Sequence, residues 1–174
     1  MKKEYSNALR KRFTQLVKND LSNFEVFTEK SPYITPGAAV FVNRVRSDLW
    51  LFVEVFGIKS EEGGFVVQVG WSRLARFPQL GMSPNFFITD RKDEIAKPEG
   101  FTRLHNPHLK NDELFYVQGT NKNSLSSLHA SSFKSDTQKI SSKEALELVS
   151  ESCDLAFSVL KESGQQFFSE VETA

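Results

Sequence analysis

Glu54 is the side chain whose surroundings in the sequence point most directly to chemistry. It interrupts the apolar run Leu49–Ile58 (LWLFVEVFGI), where it shares alternation with Trp50, Phe52, Phe56 and Ile58. A carboxyl set among such neighbours loses solvation of its charged form, so its pKa rises, and this is how general acids are tuned. Pairing accounts for the same residue at less cost. If the flanking segments are antiparallel neighbours, Arg44 approaches from one side and Gln68 from the other. Glu54 therefore reads first as a paired structural carboxylate. Its second reading is the polar floor of a binding pocket, with Arg44, Gln68 and Arg73 around it. A catalytic role has the least support, and no residue is assigned one.

Trp71-Ser72-Arg73 stands where an apolar segment gives way to a loop, and Trp50 flanks Glu54. Trp and Arg are over-represented in binding hot spots, so Trp50, Trp71 and Arg73 join the candidate binding set. They are equally ordinary at strand ends.

Other groups promise less. His105-Asn106-Pro107-His108, with Asp112 and Glu113 nearby, offers two imidazoles in a turn, whereas zinc needs three or four converging ligands. No metal site is assigned. The Ser-rich stretch 124–132 contains His129 but no Gly-x-Ser-x-Gly elbow, and a serine next to a histidine in sequence is not a triad. No phosphate-binding glycine loop is present, Gly63-Gly64 suits a hairpin turn, and no cofactor is expected. Cys153 falls in a helical apolar stripe and reads as a buried, inert thiol.

The elements that must position these groups are legible in part. Ala38–Val45, Leu49–Ile58 and Phe65–Ser72 are three consecutive β-strand segments. The joins, Arg46–Asp48 and Lys59–Gly64, are short enough for antiparallel hairpins. In the third segment Phe65, Val67, Val69 and Trp71 share the face expected to meet the main core. The second segment is apolar on both faces, which predicts a central strand covered on both sides.

Residues 3–19 carry Tyr5, Leu9, Phe13 and Leu16 at spacings of four, four and three, the pattern of an amphipathic helix. Phe24–Phe27 reads as a short strand or extended lead-in, and Pro32, Pro36 and Gly37 mark a loop. In the punctuated region 73–112, Phe86–Thr89 is a candidate strand and Asp90–Ala96 a short helical turn. Glu113–Gln118 is a further candidate strand. Within Gly119–Lys139, Leu125, Leu128, His129 and Phe133 fall at helical spacing. Ser141-Ser142-Lys143-Glu144 matches a capping box that starts a long helix to about Lys161, with Phe167 and Phe168 extending its stripe past Gly164.

Composition narrows the function classes. A length of 174 residues predicts one domain, 1–174, able to bury roughly 70% of its unfolded surface without a metal or disulfide staple. The 22 basic and 22 acidic residues balance, which argues against broad electrostatic binding of nucleic acid. The charges are segregated, however. Residues 1–20 hold six basic against two acidic residues, and residues 141–174 hold two against seven. This predicts two helix faces that attract each other across the fold, or a basic patch for an acidic partner. A single cysteine predicts a reducing, cytoplasmic setting. No apolar run approaches the ~18 residues of a membrane span, so no membrane is expected as a partner.

The predicted fold is α+β. An antiparallel meander of about four to six strands carries an N-terminal helix and a long C-terminal helix. The function this favours is a small cytoplasmic protein-interaction module, such as an adaptor, secretion chaperone or immunity-type protein. Its partner would be another protein, and a homodimer is compatible with it. Trp50, Phe52 and Phe56 exceed what two helices cover, so an exposed apolar patch is expected. The alternative is a small-ligand binder or enzyme whose pocket is floored by Glu54.

Overall fold

A computed structural model describes residues 1–60, 63–79, 91–109, 113–117, 120 and 140–174. The chain enters through α1 (Lys3–Asp20), followed by β1 (Glu25–Val26), β2 (Ala39–Arg44), β3 (Trp50–Gly57) and β4 (Gly64–Ser72). Then come the short helix α2 (Arg91–Ile95), β5 (Glu99–Arg103) and β6 (Phe115–Tyr116). A long C-terminal arm closes the chain: α3 (Ser142–Val159), a π turn (Leu160–Gly164) and α4 (Gln165–Thr173). The arrangement is α+β, as the pattern of segments predicts.

All pairings are antiparallel, and the strand order is β1-β2-β3-β4-β5, with β6 pairing the start of β4. β3 is thus interior, flanked by β2 and β4. Arg46 and Leu49 exchange backbone hydrogen bonds of 3.2 and 3.3 Å, while Arg44 faces Trp50. Two steps along β2 therefore answer one step along β3, which is a β-bulge at Val45.

The two faces of the sheet are covered differently. On the first, Phe41, Leu51, Val53, Val55, Phe65, Val67, Val69 and Trp71 join the main core with α1 and the C-terminal arm. Burying such side chains contributes roughly 1.5–3 kcal/mol each and holds the helices down. On the second, Val40, Val42, Phe52 and Phe101 pack under Phe27 and Phe77, with Ile34, Ala38 and Trp50 at the margin. The ring centroids of Phe27, Phe52, Phe77 and Phe101 lie 5.2–5.8 Å apart in consecutive contacts. The exposed patch expected at Trp50, Phe52 and Phe56 is therefore not there. Phe52 is fully buried, Phe56 is buried, and Trp50 is half-buried. The segment after β1 folds back over this face and does what a second helix layer would do.

Two glycines permit the close approaches. Phe52, Gly70 and Phe101 are consecutive cross-strand neighbours, and a Cβ on Gly70 would sit 2.2 Å from the Phe101 ring. Gly100 leaves room for the Trp71 indole, whose nearest atom would be 2.6 Å from an added Cβ. This second contact explains β5, which the sequence reading left inside a loop. Pro98 and Gly100 look like turn residues, but Pro98 only precedes the strand, and Gly100 lies beneath a tryptophan.

Ser141 caps α3, its hydroxyl accepting from the Glu144 N–H at 3.2 Å. The helix does not break at Gly164. From Ala145 to Val171 one buried stripe runs through Val149, Cys153, Ala156, Leu160, Gly164 and Phe168. A regular α-helix would carry that stripe about 80° off the sheet over this length. The wider π turn absorbs the difference. Gly164 lies at that point, where an added Cβ would meet Leu160 at 2.8 Å and Val69 at 3.5 Å.

α1 and α3 are neighbours. Arg12 pairs with Asp154 at 2.6 Å, the Phe13 ring meets Phe157 edge-on at 6.1 Å, and Lys161 pairs with Asp20 at 3.1 Å. Both residue numbers climb together, so the helices run parallel. Arg12–Asp154 has the sense expected of a basic N-terminal and an acidic C-terminal segment, whereas Lys161–Asp20 runs the other way. The candidate strand Phe86–Thr89, the helical spacing at Leu125–Phe133, His129 and Asp112 lie outside the described residues. No helix among those described is long and apolar enough to cross a membrane.

Candidate functional site

The second face carries a polar row beside its aromatic cluster. Register places Val40, Glu54, Gln68 and Arg103 side by side across β2, β3, β4 and β5. Arg103 continues the row to Glu113 through a 2.9 Å ion pair. In each strand, alternation turns these residues away from the helix layer.

Glu54 is 1% exposed. One carboxylate oxygen accepts from the Thr35 backbone N–H at 2.8 Å, and the other accepts from Gln68 Nε2 at 2.5 Å. Burial raises its pKa, and the hydrogen bonds from Thr35 and Gln68 oppose that rise. Gln68 is the partner that the sequence indicates. Arg44 is not, because Val40 stands opposite Glu54 and Arg44 stands opposite Trp50. Arg44 instead binds Glu25 and, at 3.0 Å, Glu29, with its guanidinium 4.5 Å from the Trp50 ring centroid. That cation–π stack leaves Trp50 half-buried at the β2 side of the face.

Trp71 and Arg73 go elsewhere. Trp71 is fully buried on the helix side, its indole N–H donating to the Lys97 carbonyl at 2.9 Å and its ring packing on Phe167. Arg73 donates to three carbonyls: Ile95 at 2.8 Å, Lys97 at 3.0 Å and Val171 at 2.8 Å. It thus ties the end of α2 to the last turn of α4, where carbonyls lack helical partners. Burial lowers its pKa, and neighbouring Arg46 adds to the effect. The six candidate binding residues thus fall into three separate pairs: Glu54 with Gln68, Arg44 with Trp50, and Trp71 with Arg73 at the shared Lys97 carbonyl.

Three members of the face were not singled out from sequence: Thr35, Glu99 and Arg103. Arg76 pairs with the buried Glu99 at 3.0 Å. Among the described residues, Gln68 Oε1, Arg103 Nε and Glu99 Oε2 are buried without a hydrogen-bond partner. The alternation of Glu99, Phe101 and Arg103 was available as a signal, but Pro98 and Gly100 masked it.

Asn106, not the histidines around it, organises its turn: its Nδ2 donates to the Leu114 carbonyl at 2.9 Å, and its Oδ1 accepts from the His108 N–H at 3.0 Å. His105 and His108 are exposed. Among the described residues no group of three His, Cys, Asp or Glu converges as a metal site would require. Cys153 is fully buried, and burial together with Asp154 pushes its thiol up to about 12. It is not a thiolate at neutral pH. No protein-family model, curated protein or solved structure matches the chain.

Proposed function

We propose that the chain is a small cytoplasmic protein-interaction module that meets its partner along the β1 border of the sheet. The observation that carries this reading is where the large apolar side chains reach solvent. Of the four such side chains among the described residues, Val26, Tyr33 and Val45, 46%, 51% and 36% exposed, come from β1, the segment after it and the bulged end of β2, and Leu74, 48% exposed, follows β4. Register adds a second support. Phe27 N–H bonds the Val40 carbonyl, so Glu25 and Phe27 turn their backbone groups toward β2, and Val26 turns its N–H and C=O outward. An extended segment of another protein added there would gain main-chain hydrogen bonds and apolar contact together. The charged groups near this border, Glu25, Glu29 and Arg44, would set its specificity.

The test is affinity capture with the full chain as bait, comparing wild type with Val26→Pro and Tyr33→Ala. A protein that co-purifies stoichiometrically with wild type and is lost with either variant is the expected result. Equal capture by all three baits, or no stoichiometric protein, refutes the reading.

A second reading rests on two of the buried polar atoms without partners. Gln68 Oε1 accepts and Arg103 Nε donates, so the pair matches a ligand offering an adjacent donor and acceptor, such as a carboxamide. Stabilisation of wild type but not Gln68→Leu by nicotinamide or asparagine in a thermal melt would favour it.

A further inference from the structure

We propose that the outer surface of the α1–α3 layer is a self-complementary docking face that pairs two copies of this chain. The stripe of α1 opposite its buried Tyr5, Leu9, Phe13 and Val17 carries exposed Lys3, Arg10, Lys11 and Lys18. The corresponding stripe of α3 and the π turn carries exposed Glu147, Glu151 and Glu162, with Asp154 beside them engaged by Arg12. Exceptions are few. On α1, Glu4 is exposed and Asp20 is engaged by Lys161, and on α3 Lys143 lies at the N-terminal end.

The heights of these charges match. Residue 12 is level with 154 and residue 20 with 161, an offset of 141–142 along two parallel helices. A two-fold axis parallel to the helices and lying in the contact plane carries α1 of one copy over α3 of the other. It leaves every residue at its own height. Lys3 then arrives near Glu147, Arg10 and Lys11 near Glu151, and Lys18 near Glu162. Both halves of the interface are the same, as a closed two-fold contact requires. An axis perpendicular to the helices in that plane would stack α1 on α1 and set like charges together.

Charge complementarity of this kind governs partner choice and orientation more than raw strength. Two helices about 27 Å long, about 10 Å apart, present roughly 500 Å² per copy, so about 1,000 Å² is buried in all. That is the lower end of the specific range and implies a weak, reversible dimer. The face is separate from the β1 border, so its test does not bear on the function proposed above.

Sedimentation of the full chain supplies the test. At about 100 μM protein and about 20 mM salt a dimer is expected, weakening at least about tenfold at about 500 mM salt, where the Debye length is a few ångströms. Arg10→Glu/Lys11→Glu alone and Glu147→Lys/Glu151→Lys alone should each be monomeric. Mixed one to one, the two variants should dimerise, since each acidic face then meets a basic one. All four reversals are at exposed positions, and unchanged circular dichroism shows that they fold. A monomeric wild type at low salt, a dimer indifferent to salt, or a mixture that stays monomeric overturns the proposal.

Discussion

Replacing Glu54 with alanine removes the acceptor of two buried donors, the Thr35 N–H and Gln68 Nε2. Each buried donor left without a partner costs about 1–3 kcal/mol, and the space vacated adds to the loss. Against this stands relief of the carboxylate's own desolvation, the force that raises its pKa. The net expected loss is about 1–3 kcal/mol, less than the sum of its parts. With a urea slope of about 2 kcal/mol per molar, the midpoint falls by roughly 0.5–1.5 M. The sign of the pH dependence is a stricter test. Because the folded-state pKa is raised, the folded state keeps its proton to higher pH than the unfolded chain does. The stability that this contributes is complete below the unfolded value and is lost as pH rises through the folded one. Wild type should therefore lose stability relative to Glu54→Gln across that window, other groups cancelling in the difference. Urea titrations of wild type, Glu54→Ala and Glu54→Gln at several pH values between about 4 and 8 measure both quantities. An unmoved midpoint for Glu54→Ala, or wild type gaining on Glu54→Gln as pH rises, would refute the account of a sealed, hydrogen-bonded carboxylate.

Three further outcomes follow from contacts elsewhere. Arg73→Lys should lose about 2 kcal/mol in a denaturant melt, because one ammonium does not reach the carbonyls of Ile95, Lys97 and Val171 as a guanidinium does. Cys153, its thiol pushed up to about 12, should resist Ellman's reagent at neutral pH in the native state and react once denaturant unfolds the chain. Gly70→Ala should cost about 1–3 kcal/mol by calorimetry, since the new methyl group has to displace the Phe101 ring. In the background Phe101→Leu the same substitution should cost less.

What the sequence discloses depends on whether a residue's role is written in its own neighbourhood. β3 is legible because its residues are apolar on both faces, with Glu54 the one charged exception. α1 and the Ser141 cap are legible because a stripe and a cap are local patterns. β5 is not, because its two most informative residues, Pro98 and Gly100, are explained by the start of the strand and by the indole of Trp71. The covering of the second face is equally hidden. Phe27, Ile34 and Phe77 come from segments without periodicity, and only the tertiary fold shows that they meet over Phe52. The site was half legible. Gln68 beside Glu54 follows from counting outward from the Lys59–Gly64 join, and the same count from Arg46–Asp48 places Val40 opposite Glu54 and Arg44 opposite Trp50. The arginine pairing was thus a miscount of the hairpin. Arg73 looked like a binding residue because its type and loop position are those of one, and the carbonyls it satisfies are distant in sequence.

The five residues from Leu160 to Gly164 set a phase, and phase is a matter of counting. Adding one residue there would swing everything downstream by about 100°. Phe167 and Phe168 would rotate out from the β-layer, and the carbonyl of Val171 would leave the reach of Arg73. Removing one would turn the π turn into an ordinary α turn and keep the downstream phase within about 20°. Exchanging exposed Lys161, Glu162 or Ser163 for other helix formers should do little by comparison. At this joint the chain is constrained in length more than in identity, so insertions rather than substitutions are the changes that it cannot absorb.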